Sequence, residues 1–138
     1  MINNLTDTGK TTFAVTSVIF GTLANALGGF DTSLRLLVVL IVADYITGVA
    51  LAIKDKKLSS EVGFIGQFKK IVMFVMVWVG FELDKALGTE VLRNIVIYFY
   101  ASNEGVSLLE TTGRLGVPYP EKLKKVIEQL KDRGDKNE

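Results

Sequence analysis

Ionisable residues inside apolar stretches are the groups with which this chain could do chemistry, and Asp44 is the first of them. It interrupts an otherwise uncharged run from Leu36 to Ile53. On a helix, Gly48 shares its face at i+4. A carboxylate that faces lipid at mid-membrane costs about 2.5–3.5 kcal/mol on insertion scales, so Asp44 must face protein or water, or be protonated. Two interpretations stay open: a buried polar contact that controls assembly or gating, and a structural hydrogen bond inside one bundle.

A second polar group recurs along the segment from about 91 to 110. Its members lie on or beside one heptad stripe: Arg93, Tyr100, Asn103, Glu104, Ser107 and Glu110. A membrane helix with a polar face needs water or polar partners along that face. The stripe therefore predicts either the lining of an aqueous lesion or a polar seam between subunits. An amphipathic helix lying at the membrane interface is the structural alternative.

Most enzyme chemistry is excluded by what the chain lacks. It contains no His and no Cys, which excludes imidazole bases, thiol catalysis, disulfides and thiolate metal sites. Gly63 and Gly66 stand close to lysines, but the P-loop spacing G-x-x-x-x-G-K-[ST] is absent. A net charge of +1 is no footprint for nucleic acid. We expect no catalytic residues, no metal, no cofactor and no nucleic-acid partner.

The elements that must position these residues are apolar helices. Half of the chain (49%) is hydrophobic, and the mean hydropathy of +0.34 is high for a soluble domain of this size. The composition predicts an all-α integral membrane protein with four, possibly three, transmembrane helices. The expected spans are about 11–30, 35–53, 65–82 and 91–110.

Two alternatives to this membrane arrangement follow from the same sequence. A water-soluble helical bundle would need polar residues on about half of each helix, which the runs 36–43 and 71–79 lack. A cleaved signal peptide would fit Ala24-Asn25-Ala26, but the residues before the first apolar run are not basic, since Lys10 is offset by Asp7.

The first segment carries small residues at helical spacing. They recur at intervals of three and four residues: Ala14, Ser17, Gly21, Ala24 and Gly28. Small side chains let helix backbones approach closely in lipid, where they gain packing contacts. This stripe predicts a helix–helix contact surface, although Gly and Ala are also common in membrane helices generally.

Basic residues cluster in two places and indicate the topology. One cluster lies between the second and third segments and is interpreted as a set of inner-leaflet anchors: Lys54, Lys56, Lys57, Lys69 and Lys70. The other lies in the tail after Arg114. By the positive-inside rule, four spans place both clusters and both termini in the cytoplasm. The predicted domains are a transmembrane helical domain over 1–115 and a cytoplasmic basic tail over 116–138.

The tail begins with a helix break at Pro118 and Pro120, and a short amphipathic helix is predicted over 121–133. Its apolar stripe follows i, i+3, i+4, i+7 spacing and consists of Leu123, Val126, Ile127 and Leu130. A basic helix of this kind can lie on the inner leaflet or pair with a neighbouring molecule. Packing on its own bundle is the third possibility.

Several motifs, taken in order, resemble one family over about residues 35–131. They are Asp44-Tyr-Ile-Thr-Gly48, Lys57-Leu-Ser-Ser60 with Gly63-x-x-Gly66-x-x-Lys69-Lys70, Asn103-Glu-Gly-Val-Ser-Leu-Leu-Glu110, and Gly113-Arg-Leu-Gly-Val-Pro118-Tyr-Pro120-Glu-Lys-Leu. The sequence resembles the toxin secretion/phage lysis holins of Gram-positive bacteria and their phages. The resemblance implies a phage or prophage protein that oligomerises in the bacterial cytoplasmic membrane. It also implies a lesion that releases an endolysin or a large toxin, without catalytic residues.

The residues alone leave the function more open than the resemblance does. They support a pore former, a small membrane transporter subunit or a membrane scaffold. An antiholin, which is a regulatory membrane protein that binds the pore former, fits the same sequence. The expected partners are the lipid bilayer, further copies of the chain, and an endolysin or secreted toxin.

Overall fold

The computed structural model describes residues 2–57 and 60–135, which form five α-helices. These are α1 (Ile2–Ala26), α2 (Thr32–Lys54), α3 (Ser60–Leu87), α4 (Leu92–Arg114) and α5 (Glu121–Asp135). The all-α prediction is confirmed. The helices α1 to α4 overlap the four predicted apolar segments, and α5 covers the predicted amphipathic helix.

The first helix ends earlier than the predicted segment 11–30. It stops at Ala26 because Gly28 and Gly29 adopt positive φ angles of 91° and 100°, a conformation that ends helices and favours glycine. Gly28 was predicted to continue the small-residue face of this helix. It lies beyond the helix end instead, in the turn that leads to α2.

The central helix of the fold is α4, which packs against α2, α3 and α5. The core between α2, α3 and α4 is made of closely packed aliphatic side chains. Its buried members are Leu34, Leu37, Leu40, Ile41, Val77, Ile97 and Ala101. Most of the circumference of α4 is therefore covered by another helix.

The bundle formed by α2, α3 and α4 has two distinct ends. The turn end holds the connections 27–31 and 88–91, where α2 and α4 begin and α3 ends. The tail end holds the ends of α2 and α4 and the start of α3. There the ammonium of Lys54 donates to the carbonyl oxygen of Arg114 at 3.0 Å. Lys54 and Arg114 thus lie together at the tail end.

Large apolar side chains cover the outward faces of the first three helices. Phe13 on α1 is 76% exposed, and Ile46 on α2 and Ile71 on α3 are each 60% exposed. From Thr6 to Leu23 the residues of α1 are exposed all round. Exposed apolar surface of this extent indicates an interaction with lipid or with other protein.

By length and composition, α2 is the one helix in the described part of the chain that is long and apolar enough to cross a membrane. The apolar part of α3 is bounded by Lys69 and Lys70 on one side and by Glu82 and Asp84 on the other. In the same way Glu104 interrupts α4. Four spans therefore do not follow from the composition of the single helices, and α3 and α4 need the bundle to satisfy their charged groups.

The amphipathic helix α5 folds back on α4. Ile127 is buried with 5% of its surface exposed, and Leu130 packs against the edge of the core. A Cβ atom on Gly105 of α4 would lie only 2.7 Å from Cγ2 of Ile127, so this close approach requires glycine. Of the three arrangements open at the sequence level, the structure has α5 packed on its own bundle.

At the turn end, Arg93 of α4 holds the α1–α2 turn against the bundle. Its guanidinium donates to the carbonyl oxygens of Leu27 and Gly29, and it pairs with Asp31 at 2.7 Å. The same Asp31 caps α2 by accepting from the amide of Leu34 at 3.0 Å. Charge-assisted hydrogen bonds of this kind fix geometry as well as contribute energy.

We expect Gly28→Ala to destabilise the full-length protein more than Gly29→Ala. Both substitutions put a side chain at positive φ, which costs about 1–2 kcal/mol. Only at Gly28 does the new Cβ also collide, at 2.6 Å from Nε of Arg93 and 2.9 Å from Cδ2 of Phe81, whereas nothing lies within 4 Å at Gly29. Thermal unfolding of the purified protein in detergent measures the difference. Equal destabilisation by the two substitutions would contradict this role of Arg93.

Candidate functional site

A buried polar network joins the three helices of the bundle. The ammonium of Lys70 on α3 lies 3.1 Å from Oδ2 of Asp44 on α2 and 3.0 Å from Oε2 of Glu104 on α4. The hydroxyl of Ser107 donates to Oδ1 of Asp44 at 2.9 Å. The three charged side chains are 14%, 15% and 8% exposed, in the order Lys70, Asp44 and Glu104. We call these four residues the Lys70 network.

The network sits at one level of the bundle because of helix geometry. Asp44 and Glu104 each lie twelve residues after the first residue of α2 and α4, and both helices begin at the turn end. At a rise of 1.5 Å per residue, that level is about 18 Å from the turn end. Aliphatic core fills the bundle between the turn end and the network. The main apolar cluster therefore lies on the turn side of the network, whereas Leu51 and Leu109 are buried on its tail side.

The chemistry that this arrangement supports is cohesion and not catalysis. One ammonium is shared by two carboxylates, and removal of one member of a buried ion pair leaves an unpaired charge that costs several kcal/mol (about 3–5). Within the described residues, no group of three His, Cys, Asp or Glu side chains could hold a metal ion. The network ties α2, α3 and α4 together, and little of its charged surface is exposed.

A cleft of about 230 Å³ opens beside the network towards the tail end. Gly48 lines it, as do Ala52, Gly66 and Lys57, together with Asp44 and Lys70. Gly48 was predicted to let another helix approach the face of Asp44. In the structure nothing lies within 4 Å of a Cβ built on Gly48, so this face of α2 is open.

The five lysines predicted as inner-leaflet anchors separate into two groups. Lys54, Lys56, Lys57 and Lys69 are exposed at or near the tail end. Lys70 is not with them: its ammonium is turned inward to Asp44 and Glu104. The physical reason is that the carboxylates of Asp44 and Glu104 lie at the same level as the Lys70 ammonium and pair with it, in place of lipid headgroups.

The polar stripe of α4 does not form one continuous wet face. Because α2, α3 and α5 cover most of α4, the stripe is divided among several environments. Arg93 is buried at the turn end, and Glu104 and Ser107 belong to the Lys70 network. Tyr100 is half-buried, with its ring edge-on to Phe99 at 5.3 Å. Of the six predicted residues, the two exposed ones are Asn103 and Glu110.

The small residues of α1 are also divided. Ala14, Ser17 and Gly21 are exposed. Ala24 lines an apolar groove of about 510 Å³ that α1 forms with α2 and α3, and Gly28 contacts Arg93 in the turn. The stripe is thus not a contact surface within one copy of the chain.

Two acids that cap helices, Asp31 and Asp84, are not among the residues that the sequence predicted. Asp84 accepts hydrogen bonds from the hydroxyl of Thr89 and from the amides of Leu92 and Arg93, so it caps the start of α4. Burial alone would raise the pKa of Asp84, but these hydrogen bonds outweigh it and lower the pKa below its ordinary value. For Asp31, burial likewise acts to raise the pKa. Hydrogen bonds from Arg93 and from the amide of Leu34, together with the charge of Arg93, outweigh burial and lower the pKa below its ordinary value.

A local signal existed for one of the two missed acids. Asp31 precedes Thr32 and Ser33 directly before an apolar run, which is a helix N-cap pattern. Asp84 stands in the last part of α3 and caps the next helix across a turn. No spacing rule within one helix points to such a contact.

The comparison with protein families agrees with this architecture. The model of the bacteriophage holin family matches residues 21–132, which is most of the chain. The chain belongs to the bacteriophage holin family. As a holin-family member it is a non-enzymatic protein of the bacterial cytoplasmic membrane. The match begins at Gly21 and leaves the first part of α1 outside the family pattern.

Individual relatives support the assignment. The chain is 43% identical over 119 residues to an uncharacterized 14.9 kDa protein of the nagH 3′ region in Clostridium perfringens, covering 84% of this chain and 90% of that protein. It is 42% identical over 110 residues to the uncharacterized protein Lmo0128 of Listeria monocytogenes, covering 79% and 76%. It is 36% identical over 88 residues to the probable holin of Bacillus phage phi105, covering 63% and 65%. No solved structure matches the chain.

We expect Lys70→Met to destabilise the bundle by about 3–5 kcal/mol, because it leaves two buried carboxylates unpaired. Lys69→Met, which removes an exposed charge one residue away, should change stability by less than about 0.5 kcal/mol. Unfolding of the full-length protein in mixed detergent micelles provides the measurement. Adding Asp44→Asn and Glu104→Gln to Lys70→Met should restore part of the loss. Equal effects of Lys70→Met and Lys69→Met would show that the network does not hold the helices.

Proposed function

We propose that the protein is a holin whose copies assemble in the cytoplasmic membrane and open lesions that release an endolysin or a large toxin. The observation that carries the proposal is the distribution of polarity. Apolar side chains face outward on α1, α2 and α3, whereas a lysine and two acids are paired inside the bundle. Paired polar groups inside and apolar groups outside suit a protein whose solvent is lipid.

The topology that we propose has four spans, formed by α1 to α4. The tail end is assigned to the cytoplasm, because Lys54, Lys57 and Arg114 lie there. The turn end, with Asp31, Asp84 and Glu90, faces outward. This arrangement also places the N-terminus in the cytoplasm, since α1 enters the turn end at Ala26.

The lesion-forming surface that we propose is a strip on α4 that other helices of the same copy leave uncovered. Phe99, Asn103, Val106 and Glu110 are its exposed members, at spacings of four, three and four residues. Among the described residues of the same copy, no side chain pairs with Asn103 or Glu110, and both would face lipid in a lone bundle. Further copies, or water in a lesion, would satisfy them.

Site-directed thiol labelling tests the topology, since the chain contains no Cys of its own. Single cysteines at Gly9 and Lys124 report on the two terminal regions, and those at Asp55 and Glu90 report on the α2–α3 and α3–α4 connections. In intact cells a membrane-impermeant reagent should label only Glu90→Cys, and permeabilised cells should label all four. Labelling of Gly9→Cys from outside would leave α1 out of the membrane and reduce the proposed spans to three.

Controlled expression in a bacterium, with and without a co-expressed endolysin, tests lesion formation. The parent protein should collapse the membrane potential, and culture lysis should require the endolysin. The double variant Asn103→Leu with Glu110→Leu should insert in the membrane and yet delay or abolish lysis, because its strip is satisfied by lipid. Val106→Leu, an apolar exchange on the same strip, is the matched control and should lyse at the parental time.

The same experiment distinguishes a holin from the alternative classes. Lysis by the double variant at the parental time would remove the strip of α4 from the proposal. A parent chain that never permits lysis alone, and that delays lysis by another holin, would identify an antiholin and contradict the proposed function.

A further inference from the structure

The amphipathic stripe of α5 is only half used in the bundle. Ile127 is buried and Leu130 is partly buried against the core, but Leu123 is 46% and Val126 is 47% exposed. All four residues lie on one face of the helix. Docking on α4 therefore leaves two apolar side chains of the same face without cover.

The charges of α5 are arranged around this stripe and not at random. At 100° per residue, Lys122, Lys124 and Lys131 fall at the two flanks of the apolar face. The acids Glu121, Glu128 and Asp132 fall on the opposite face, together with one lysine, Lys125. Lysines beside an apolar stripe can extend their ammonium groups to lipid headgroups while the stripe enters the interface. Acids on the far side then point away from an anionic surface.

We propose that α5 has a second docking position, the anionic lipid surface beside the tail end, and that it exchanges between α4 and this surface. The two positions exclude one another, because Ile127 and Leu130 are used in both. On lipid all four residues of the stripe are buried, and three lysines gain anionic partners. On α4 the helix instead gains the close contact between Ile127 and Gly105.

The exchange has a structural consequence for α4. Departure of α5 uncovers Gly105, where Ile127 now sits within van der Waals contact of the backbone. The inference depends on membrane association of the protein and not on lesion formation. A test that measures the position of α5 directly therefore distinguishes a failure of this inference from a failure of the proposed lesion formation.

Disulfide trapping provides this test with the full-length protein in vesicles. The pair Gly105→Cys and Ile127→Cys suits a disulfide, because the Cβ position of residue 105 lies 2.7 Å from Cγ2 of Ile127. The control pair is Ser33→Cys and Asn94→Cys at the turn end, whose native side-chain oxygens lie 3.3 Å apart. Both pairs should cross-link readily in phosphatidylcholine vesicles under mild oxidation.

Vesicles rich in phosphatidylglycerol should lower the initial cross-linking rate of the 105–127 pair roughly tenfold or more, and leave the control pair unchanged. High salt, or replacement of Lys122, Lys124 and Lys131 by Gln, should restore the rate, because the attraction to the surface is electrostatic. Inorganic phosphate added to phosphatidylcholine vesicles should have no effect.

Three results would overturn the proposal. The first is an equal rate for the 105–127 pair in both kinds of vesicle. The second is a parallel fall of both pairs, which would mean that the lipid disturbs the whole bundle. The third is a fall caused by soluble phosphate, which would assign the lysines to a free anion.

Discussion

The ammonium of Lys70 between two carboxylates is the interaction on which the rest of the structure depends. Its partners come from α2 and α4, so a single cation links three helices. These three helices run in alternating directions between the two ends of the bundle. In lipid, apolar packing alone gives helices little reason to associate, because lipid tails are as apolar as leucine. A polar network at one level supplies both cohesion and register. Each charged side chain of the network would also cost free energy if it faced hydrocarbon, which favours its place inside the bundle.

The other features of the bundle follow from keeping α4 at the centre. Arg93 attaches the α1–α2 turn to the start of α4, Asp84 caps that start, and Ile127 packs α5 on its later half. What remains uncovered on α4 is a narrow strip that includes Asn103. A helix that is held on three sides and exposes Asn103 and Glu110 on the fourth suits a protein that is stable alone and can associate further. This division connects the fold of the single chain with the proposed lesion.

Much of the fold was predictable from the sequence, whereas little of the site was. The uncharged run around Asp44 and the stripe of α5 are local patterns, and local patterns predict helices. The partners of Lys70 lie 26 and 34 residues away in the sequence. In the sequence, Lys70 has the same pattern as its neighbour Lys69, which predicts a solvated lysine for both. Only the packing of helices decides which lysine turns inward. The heptad stripe of α4 is divided among several environments for the same reason: polarity shows that a residue needs a partner, but not which element supplies it.

The contact of Lys70 with both acids is tested most directly by solid-state NMR of the full-length protein in anionic bilayers. The two possible environments of the side chain give different nuclear contacts. The account predicts close contacts from the ¹⁵N of the Lys70 ammonium to the carboxyl carbons of Asp44 and Glu104, since the corresponding N–O distances are 3.1 and 3.0 Å. It predicts no contact with lipid ³¹P. A strong contact of that ammonium with ³¹P, without the carboxyl contacts, would make Lys70 an inner-leaflet anchor and contradict the account.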